Sequence, residues 1–263
     1  AWTTTPWTLP SNMALAVGPD IDYVEIRDKG DVYYLAKARL SSHYKKKEDY
    51  EFVRNLKGGE MVGWRYDPLF PYFKEKAGEG AFRVVAADFV STEDGTGVVH
   101  CAPGFGEDDY LMSQKEGVPV VCPVDDEGKF TAAVPDYAGR AVKETDADIL
   151  KRLKEERKLV HRGTIVHPYP HCWRCDTPLI YRAVATWFVR VEAIKDRLVA
   201  ANAKTRWVPE HLRDGRFGKW LEGARDWAIS RNRYWGTPLP LWRSADEKET
   251  VCVGSIAELE RLS

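Results

Sequence analysis

Ala1-Trp2-Thr3-Thr4-Thr5-Pro6-Trp7-Thr8-Leu9-Pro10-Ser11-Asn12 opens the chain with four threonines, a serine and an asparagine, set among two prolines and two tryptophans. Pro6 and Pro10 fix φ and remove backbone donors, so no regular helix is expected here. Thr5 and Leu9, each before a proline, are pushed toward extended backbone. The stretch reads as a stiff strand-to-loop segment with hydroxyls on display. A hydroxyl donates one hydrogen bond and accepts two. Such a row can hold a water, a ribose hydroxyl or an ester carbonyl. On composition alone it is an edge strand, because β-branched residues favour strands.

A second cluster stands about ninety residues on, at 95–109 (GTGVVHCAPGFGEDD). A strand runs to His100, breaks at Pro103, Gly104 and Gly106, and a helix opens at the acids Glu107, Asp108 and Asp109. Strand-to-helix corners place side chains at the rim of a sheet, where sites are built. His100 and Asp109 can face one cavity from there. The plain readings are a hydrogen-bonded packing histidine and acids that complement the helix dipole.

Between and around these clusters, residues 1–140 read mostly as short strands and turns. Strands are expected over 13–17, 23–26, 32–40, 61–66, 82–89, 96–101 and 118–124. The charged run 41–56 reads as a solvated helix or an exposed excursion. A helix is expected over 145–159, capped by Thr145 with Asp146 and Asp148 in its first turn. A strand over 160–167 follows. Beyond about 180 the chain turns aromatic and helical, with helices over 191–203 and 216–229. The expected class is α+β: a closed β-barrel-like core with attached helices, then a smaller helical segment. The boundary falls at 180/181, giving units 1–180 and 181–263.

The 263 residues suffice for a full core, and 39 basic against 40 acidic side chains leave no strongly basic surface for nucleic acid. Lys45, Lys46 and Lys47 can meet phosphate, but so short a run is ordinarily a wetted surface. No apolar run spans a bilayer and no signal peptide is visible, so no membrane partner is expected. The five cysteines are an odd number with one close pair, which is no secreted disulfide framework and points to a cytoplasmic, reducing setting. The non-Met start and the cut helical pattern at the end suggest a piece of a longer protein.

The pair is Cys172 and Cys175, in HPYPHCWRC at 167–175. Tetrahedral zinc wants four ligands and one knuckle supplies two. His167 or His171 can add another, and the plain reading is two reduced thiols near a surface hairpin. No HExxH, P-loop or GxGxxG pattern is present.

TTTPWTLPSN at 3–12 resembles the threonine-rich peptide of the editing domain of isoleucyl-tRNA synthetases, whose valine and leucine sisters carry Arg where this chain has Thr5. The run 95–109 resembles the second half of the same pocket, and other residues usually take the His100 place in those sisters. Residues 167–178 and 229–242 (ISRNRYWGTPLPLW) are also similar to synthetases, and 248–262 resembles the eukaryotic-type branch. The resemblance implies that Asp109 grips the α-ammonium of a misplaced amino acid, by charge-assisted hydrogen bonds. It implies that His100 bounds the side-chain pocket. Thr3, Thr4, Thr5 and Asn12 then line the pocket, meet the terminal adenosine and orient water. Trp2, Trp7, Ser11, Gly104 and Phe105 are implied as substrate contacts. In some relatives a second CxxC completes a zinc site; this chain has none, so Cys172 and Cys175 are a half site. Trp235 would approach the synthetic amino-acid pocket. The HIGH-type and KMSKS-type signatures that act on ATP are missing.

The function so implied is hydrolysis of valyl-tRNA(Ile), after transfer and also of valyl-adenylate, with no cofactor and no amino-acid activation. The implied partners are the tRNA(Ile) 3′ end, valyl-adenylate or valyl-adenosine, and the rest of a synthetase chain. An alternative of another class is a non-catalytic RNA- or zinc-binding module using the lysine triplet and the CxxC. A third is an editing domain for valyl- or leucyl-tRNA synthetase, which Thr5 and His100 together disfavour.

Overall fold

The computed structural model describes residues 1–166, 168–230 and 236–263. The chain separates into two compact units, Ala1–Ala183 and Val184–Ser263. In the first unit the strands are β1 (Ala14–Val17), β2 (Asp22–Asp28), β3 (Asp31–Ala36), β4 (Glu51–Lys57), β5 (Arg83–Ala86) and β6 (Val98–Cys101). Its helices are α1 (Leu40–His43), α2 (Gly58–Met61), α3 (Glu107–Glu116) and α4 (Asp146–Glu155).

β1 is the centre of the sheet that carries the site. It pairs parallel with β5 and antiparallel with β6, with Leu15 opposite His100 and Ala14 opposite Cys101. A strand paired on both sides and covered on both faces reads as a continuous apolar run, and Ala14, Ala16 and Val17 are fully buried. Met13, Phe82, Val85, Cys101, Met112 and Val118 pack around it. The second sheet is antiparallel in the order β3-β2-β4, with β2 central and a register shift at Glu25/Ile26. Tyr23 ties the two sheets: its buried hydroxyl donates to the Gly97 carbonyl at 2.6 Å and accepts from Gly18 N at 3.1 Å. A further core gathers Trp7, Phe70, Phe130, Val134, Ile149 and Leu153, so the threonine-rich segment rests on α4.

The α+β class holds, but the closed barrel does not. Among the described residues the strands form four small sheets, none of them closed. Barrel closure needs strands long enough to tilt and stagger into a ring. β1, β5 and β6 have four residues each, and beyond β6, among the described residues, the isolated bridge Trp2–Val99 alone continues the pairing. Residues 118–124 form no strand beyond a bridge at Val124, since Pro119 and Pro123 lack ladder donors. In 61–66 a left-handed Gly63 interrupts, leaving a bridge at Arg65. The run 41–56 is neither helix nor excursion throughout: its second half is β4, an edge strand whose charged face meets water. Residues 160–166 are exposed and find no strand partner, and His167 lies outside the described residues.

The second unit holds α5 (Lys195–Ala203), α6 (His211–Asp214), α7 (Arg216–Glu222) and α8 (Ile256–Leu262). Its strands form two ribbons: β7 (Phe188–Val189) with β8 (Trp227–Ala228), and β9 (Leu241–Arg243) with β10 (Thr250–Cys252). The helix expected over 216–229 stops at Gly223, and Trp227 joins β8. Among the described residues no helix is long and apolar enough to cross a membrane.

Candidate functional site

The threonine-rich segment is not extended throughout, as its prolines suggested. Pro6–Ser11 is a 3₁₀ helix with Pro6 in its first turn, where a missing N–H costs nothing. Thr8 N donates to the Thr5 carbonyl at 3.0 Å. In a 3₁₀ helix side chains three apart eclipse, which brings the Thr5 and Thr8 hydroxyls to 3.1 Å. Thr3 Oγ1 accepts the Thr5 N–H at 3.1 Å and lies 3.3 Å from Thr5 Oγ1. Three hydroxyls therefore stand in a row, Thr3, Thr5 and Thr8. Thr4 is exposed and outside it.

β6 delivers His100 to the end of that row. His100 Nε2 is 3.1 Å from Thr8 Oγ1, and His100 Nδ1 is 2.8 Å from Asn12 Nδ2. Asn12 Nδ2 also donates to the Ala14 carbonyl at 2.9 Å, and Asn12 Oδ1 accepts the Tyr66 hydroxyl at 2.6 Å. His100 is buried, and that burial pulls its pKa down to about 4. The imidazole is neutral at physiological pH.

Asp109 sits in the first turn of α3, where the sequence placed it, and its Oδ2 accepts the Ala102 N–H at 2.8 Å. Burial raises its carboxyl above the ordinary aspartate range, against that hydrogen bond. Asp109 is thus anchored two residues beyond His100 on the same backbone. Phe105 meets Trp7 edge-on at 5.0 Å. Trp7 is buried, and Trp7 Nε1 and Ser11 Oγ have no hydrogen-bond partner among the described residues. Gly104 is a packing glycine: a Cβ there would lie 2.3 Å from the Val121 carbonyl oxygen. Trp2 covers Gly95, where a Cβ would lie 2.8 Å from the indole.

The structure therefore joins Thr3, Thr5, Asn12 and His100 through one hydrogen-bonded chain. Sequence reasoning missed two of its members, Thr8 and Tyr66. Thr8 had a local signal, since a proline in the first turn allows a short helix that sets residues three apart together. Tyr66 had none, being 54 residues from Asn12. Two open cavities are lined by other residues. One of about 630 Å³ is lined by Arg27, Asp28, Tyr44 and Tyr50, and another of about 570 Å³ by Trp207, Phe217 and Trp220.

Cys172 and Cys175 lie on a hairpin turn closed by Cys172 N to the Thr177 carbonyl at 2.9 Å and Asp176 N to the Cys172 carbonyl at 2.8 Å. Cys175 Sγ is 3.2 Å from Thr177 Oγ1. Among the described residues no group of three or more His, Cys, Asp or Glu side chains could hold a metal. Two thiols alone do not fit a tetrahedral zinc site. His167, and Trp235 of the 229–242 motif, lie outside the described residues.

The family model for class I tRNA synthetases of the I, L, M and V group matches residues 5–263. The chain is 62% identical over 266 residues to the isoleucine–tRNA ligase of Bdellovibrio bacteriovorus, covering all of this chain and 25% of that protein. It is 58% identical over 278 residues to the isoleucine–tRNA ligase of Treponema denticola, with the same coverage. It thus spans about a quarter of the length of the curated relatives it matches. Among solved structures, the Plasmodium falciparum cytosolic leucyl-tRNA synthetase editing domain is similar at a TM-score of 0.44 and 11% identity, over 59% of this chain and 75% of that one.

Proposed function

This chain belongs to the class I tRNA synthetases of the isoleucine, leucine, methionine and valine group, and on that premise we propose that it is the editing region of an isoleucine–tRNA ligase, hydrolysing the ester of valine mischarged onto tRNA(Ile). One observation carries the reading. Thr8 Oγ1 and His100 Nε2, 92 positions apart in sequence, meet at 3.1 Å. That contact supports reading the hydroxyl-rich segment and the corner that carries His100 and Asp109 as parts of one site.

The chemistry follows from what those groups can do. An aminoacyl ester is already activated, so a covalent nucleophile is not required. A positioned water and donors for the developing oxyanion suffice. The hydroxyl row holds the water and the terminal ribose, with the RNA's own hydroxyl assisting. Asp109, ionised, grips the α-ammonium. His100, neutral and buried, bounds the side-chain pocket. In this enzyme class one methylene is established to be worth only ~1–3 kcal/mol, so a first site cannot reject valine well and a second must exclude isoleucine by size. The tRNA 3′ end, valyl-adenylate and the remainder of the synthetase chain are the proposed partners, and the cytoplasm the proposed location. The relatives reported above are bacterial; a eukaryotic-type parent rests on residues 248–262 alone.

The test is to incubate the chain with valyl-tRNA(Ile) and follow free valine. Release, with isoleucyl-tRNA(Ile) left intact, is expected. Binding of the RNA with no release would instead favour a non-catalytic RNA-binding module.

A further inference from the structure

We propose that Asn12 is a positioning residue rather than a substrate contact: held by the Ala14 carbonyl and the Tyr66 hydroxyl, its carboxamide fixes the His100 proton on Nε2 and, through Thr8, leaves Thr5 Oγ1 as an acceptor. The consequence for the substrate rests on the editing reading; the tautomer does not.

A backbone carbonyl only accepts, so the Asn12 atom 2.9 Å from Ala14 O is the amino nitrogen. Its second hydrogen points at His100 Nδ1, 2.8 Å away. Nδ1 must therefore offer a lone pair. The Tyr66 hydroxyl, 2.6 Å from Oδ1, fills the remaining side of the amide. Turning the amide over would set two acceptors, Oδ1 and Ala14 O, against each other in a buried place, which forfeits a hydrogen bond and adds the desolvation of both groups. Asn12 is only 6% exposed, and both of its hydrogens are committed. It has none left for a water or a ribose.

A neutral imidazole carries one N–H. With Nδ1 accepting, that hydrogen is on Nε2 and points at Thr8 Oγ1, 3.1 Å away. The Thr8 hydroxyl gives its own hydrogen to the Thr5 carbonyl at 2.8 Å. Both Thr8 lone pairs then face donors, His100 Nε2–H and the Thr5 hydroxyl at 3.1 Å. The Thr5 hydrogen is spent on Thr8, and toward anything else Thr5 Oγ1 can only accept. An acceptor in that position orients a water by one of its hydrogens and leaves the water's lone pair free for a carbonyl carbon. The polarity of the row is thus set from Asn12, four contacts away from any substrate.

The test reads the proton directly. The 263-residue chain is labelled with nitrogen-15 histidine, and two-bond proton–nitrogen correlations are recorded at neutral pH. The His100 signals are those lost in His100→Gln. The expected wild-type pattern is the Nε2–H tautomer, and an Nδ1–H pattern overturns the lock without any variant. Asn12→Asp, ionised, can only accept at this position, so the hydrogen moves onto Nδ1, alone or with Nε2 protonated as well. Asn12→Ala supplies neither donor nor acceptor and should give the averaged pattern of a free imidazole. An unshifted Nε2–H pattern in either folded variant overturns the proposal. In hydrolysis of valyl-tRNA(Ile), Asn12→Asp should lower kcat about tenfold with KM little changed, as for an interaction made in the transition state. Hydrolysis lost with the tautomer unmoved sinks the lock and spares the editing reading. A moved tautomer, with no valine released even by the wild type, does the reverse.

Discussion

Asp146 Oδ1 accepts the backbone N–H of Trp7 at 2.8 Å, across 139 residues. The bond answers a local need. Thr5, the N-cap of the 3₁₀ helix, makes no side-chain cap, and Pro6 has no N–H. Trp7 therefore carries the first unpaired donor of that helix. Asp146, the first residue of α4, supplies the acceptor, and burial raises its carboxyl despite the bond.

Asp146→Ala should therefore destabilise the fold by about 1–3 kcal/mol, the cost of leaving a buried donor unpaired. Asp146→Asn keeps an acceptor and should lose less. Urea titration of both variants checks this order. Equal losses would mean that the carboxylate's charge, and not its acceptor, holds Trp7.

His100 makes stability depend on acid. Folded, it takes a proton only near pH 4 because burial opposes the charge; unfolded, it does so near the ordinary histidine value of about 6.5. Between those values the unfolded chain binds more protons, so stability falls as pH drops through the window. One such imidazole accounts for about 3 kcal/mol of that fall. Denaturant midpoints measured across the window should show the slope in the wild type and a flatter one in His100→Gln. Parallel slopes would place the imidazole in contact with water.

What sequence made legible, and what it did not, divides along the range of the physics. The corner at 95–109 read correctly as strand, break and helix, because Pro103, the glycines and the first-turn acids act on their own neighbours: β6 ends at Cys101 and α3 begins at Glu107. The core strand at 13–17 was legible for the same reason. Sheet closure was not, since it depends on which strands find each other and over what length. The stretch 41–56 looked solvated because it is; nothing in its charges announced that β2 would pair with its second half. The threonine row read as extended because each proline forbids an α-helix, whereas the 3₁₀ helix holds Pro6 in its first turn and Pro10 within it. Tyr66 reached Asn12 only through the packing of the β1 sheet, against Phe82 at 6.1 Å.

Asp109 should show function and stability in opposition. Burial raises its carboxyl, so the folded state takes up this proton more readily than the unfolded chain. Folding thus favours the protonated form over the ionised one, and the stability this adds is lost as pH rises through the folded pKa. Asp109→Asn keeps an oxygen for Ala102 N and removes the buried charge. It should raise the thermal midpoint at neutral pH, with the gain vanishing in acid where the wild type is also neutral. The same variant should lose valyl-tRNA(Ile) hydrolysis, because an amide offers the α-ammonium no counter-charge. Scanning calorimetry at two pH values and a deacylation assay read the two effects separately. Near-normal turnover would remove Asp109 from the amine-binding role.

His100→Ala tests the size gate. The ring is clamped at both nitrogens, by Asn12 and Thr8, so it cannot swing aside to admit a larger side chain. Deleting it opens room beside the hydroxyl row while Thr5 and Thr3 keep their own contact at 3.3 Å. Valyl and isoleucyl esters differ by one methylene, which in an open apolar pocket is worth only ~1–3 kcal/mol and favours the larger group. With the wall gone, isoleucyl-tRNA(Ile) should be cleaved at a rate approaching that of the valyl ester. The stability cost of the hole is read apart from this, by urea titration, and should not alter the ratio of the two rates in the folded fraction. An isoleucyl ester still protected in a folded His100→Ala variant would mean that another side chain, and not the imidazole, sets the limit on size.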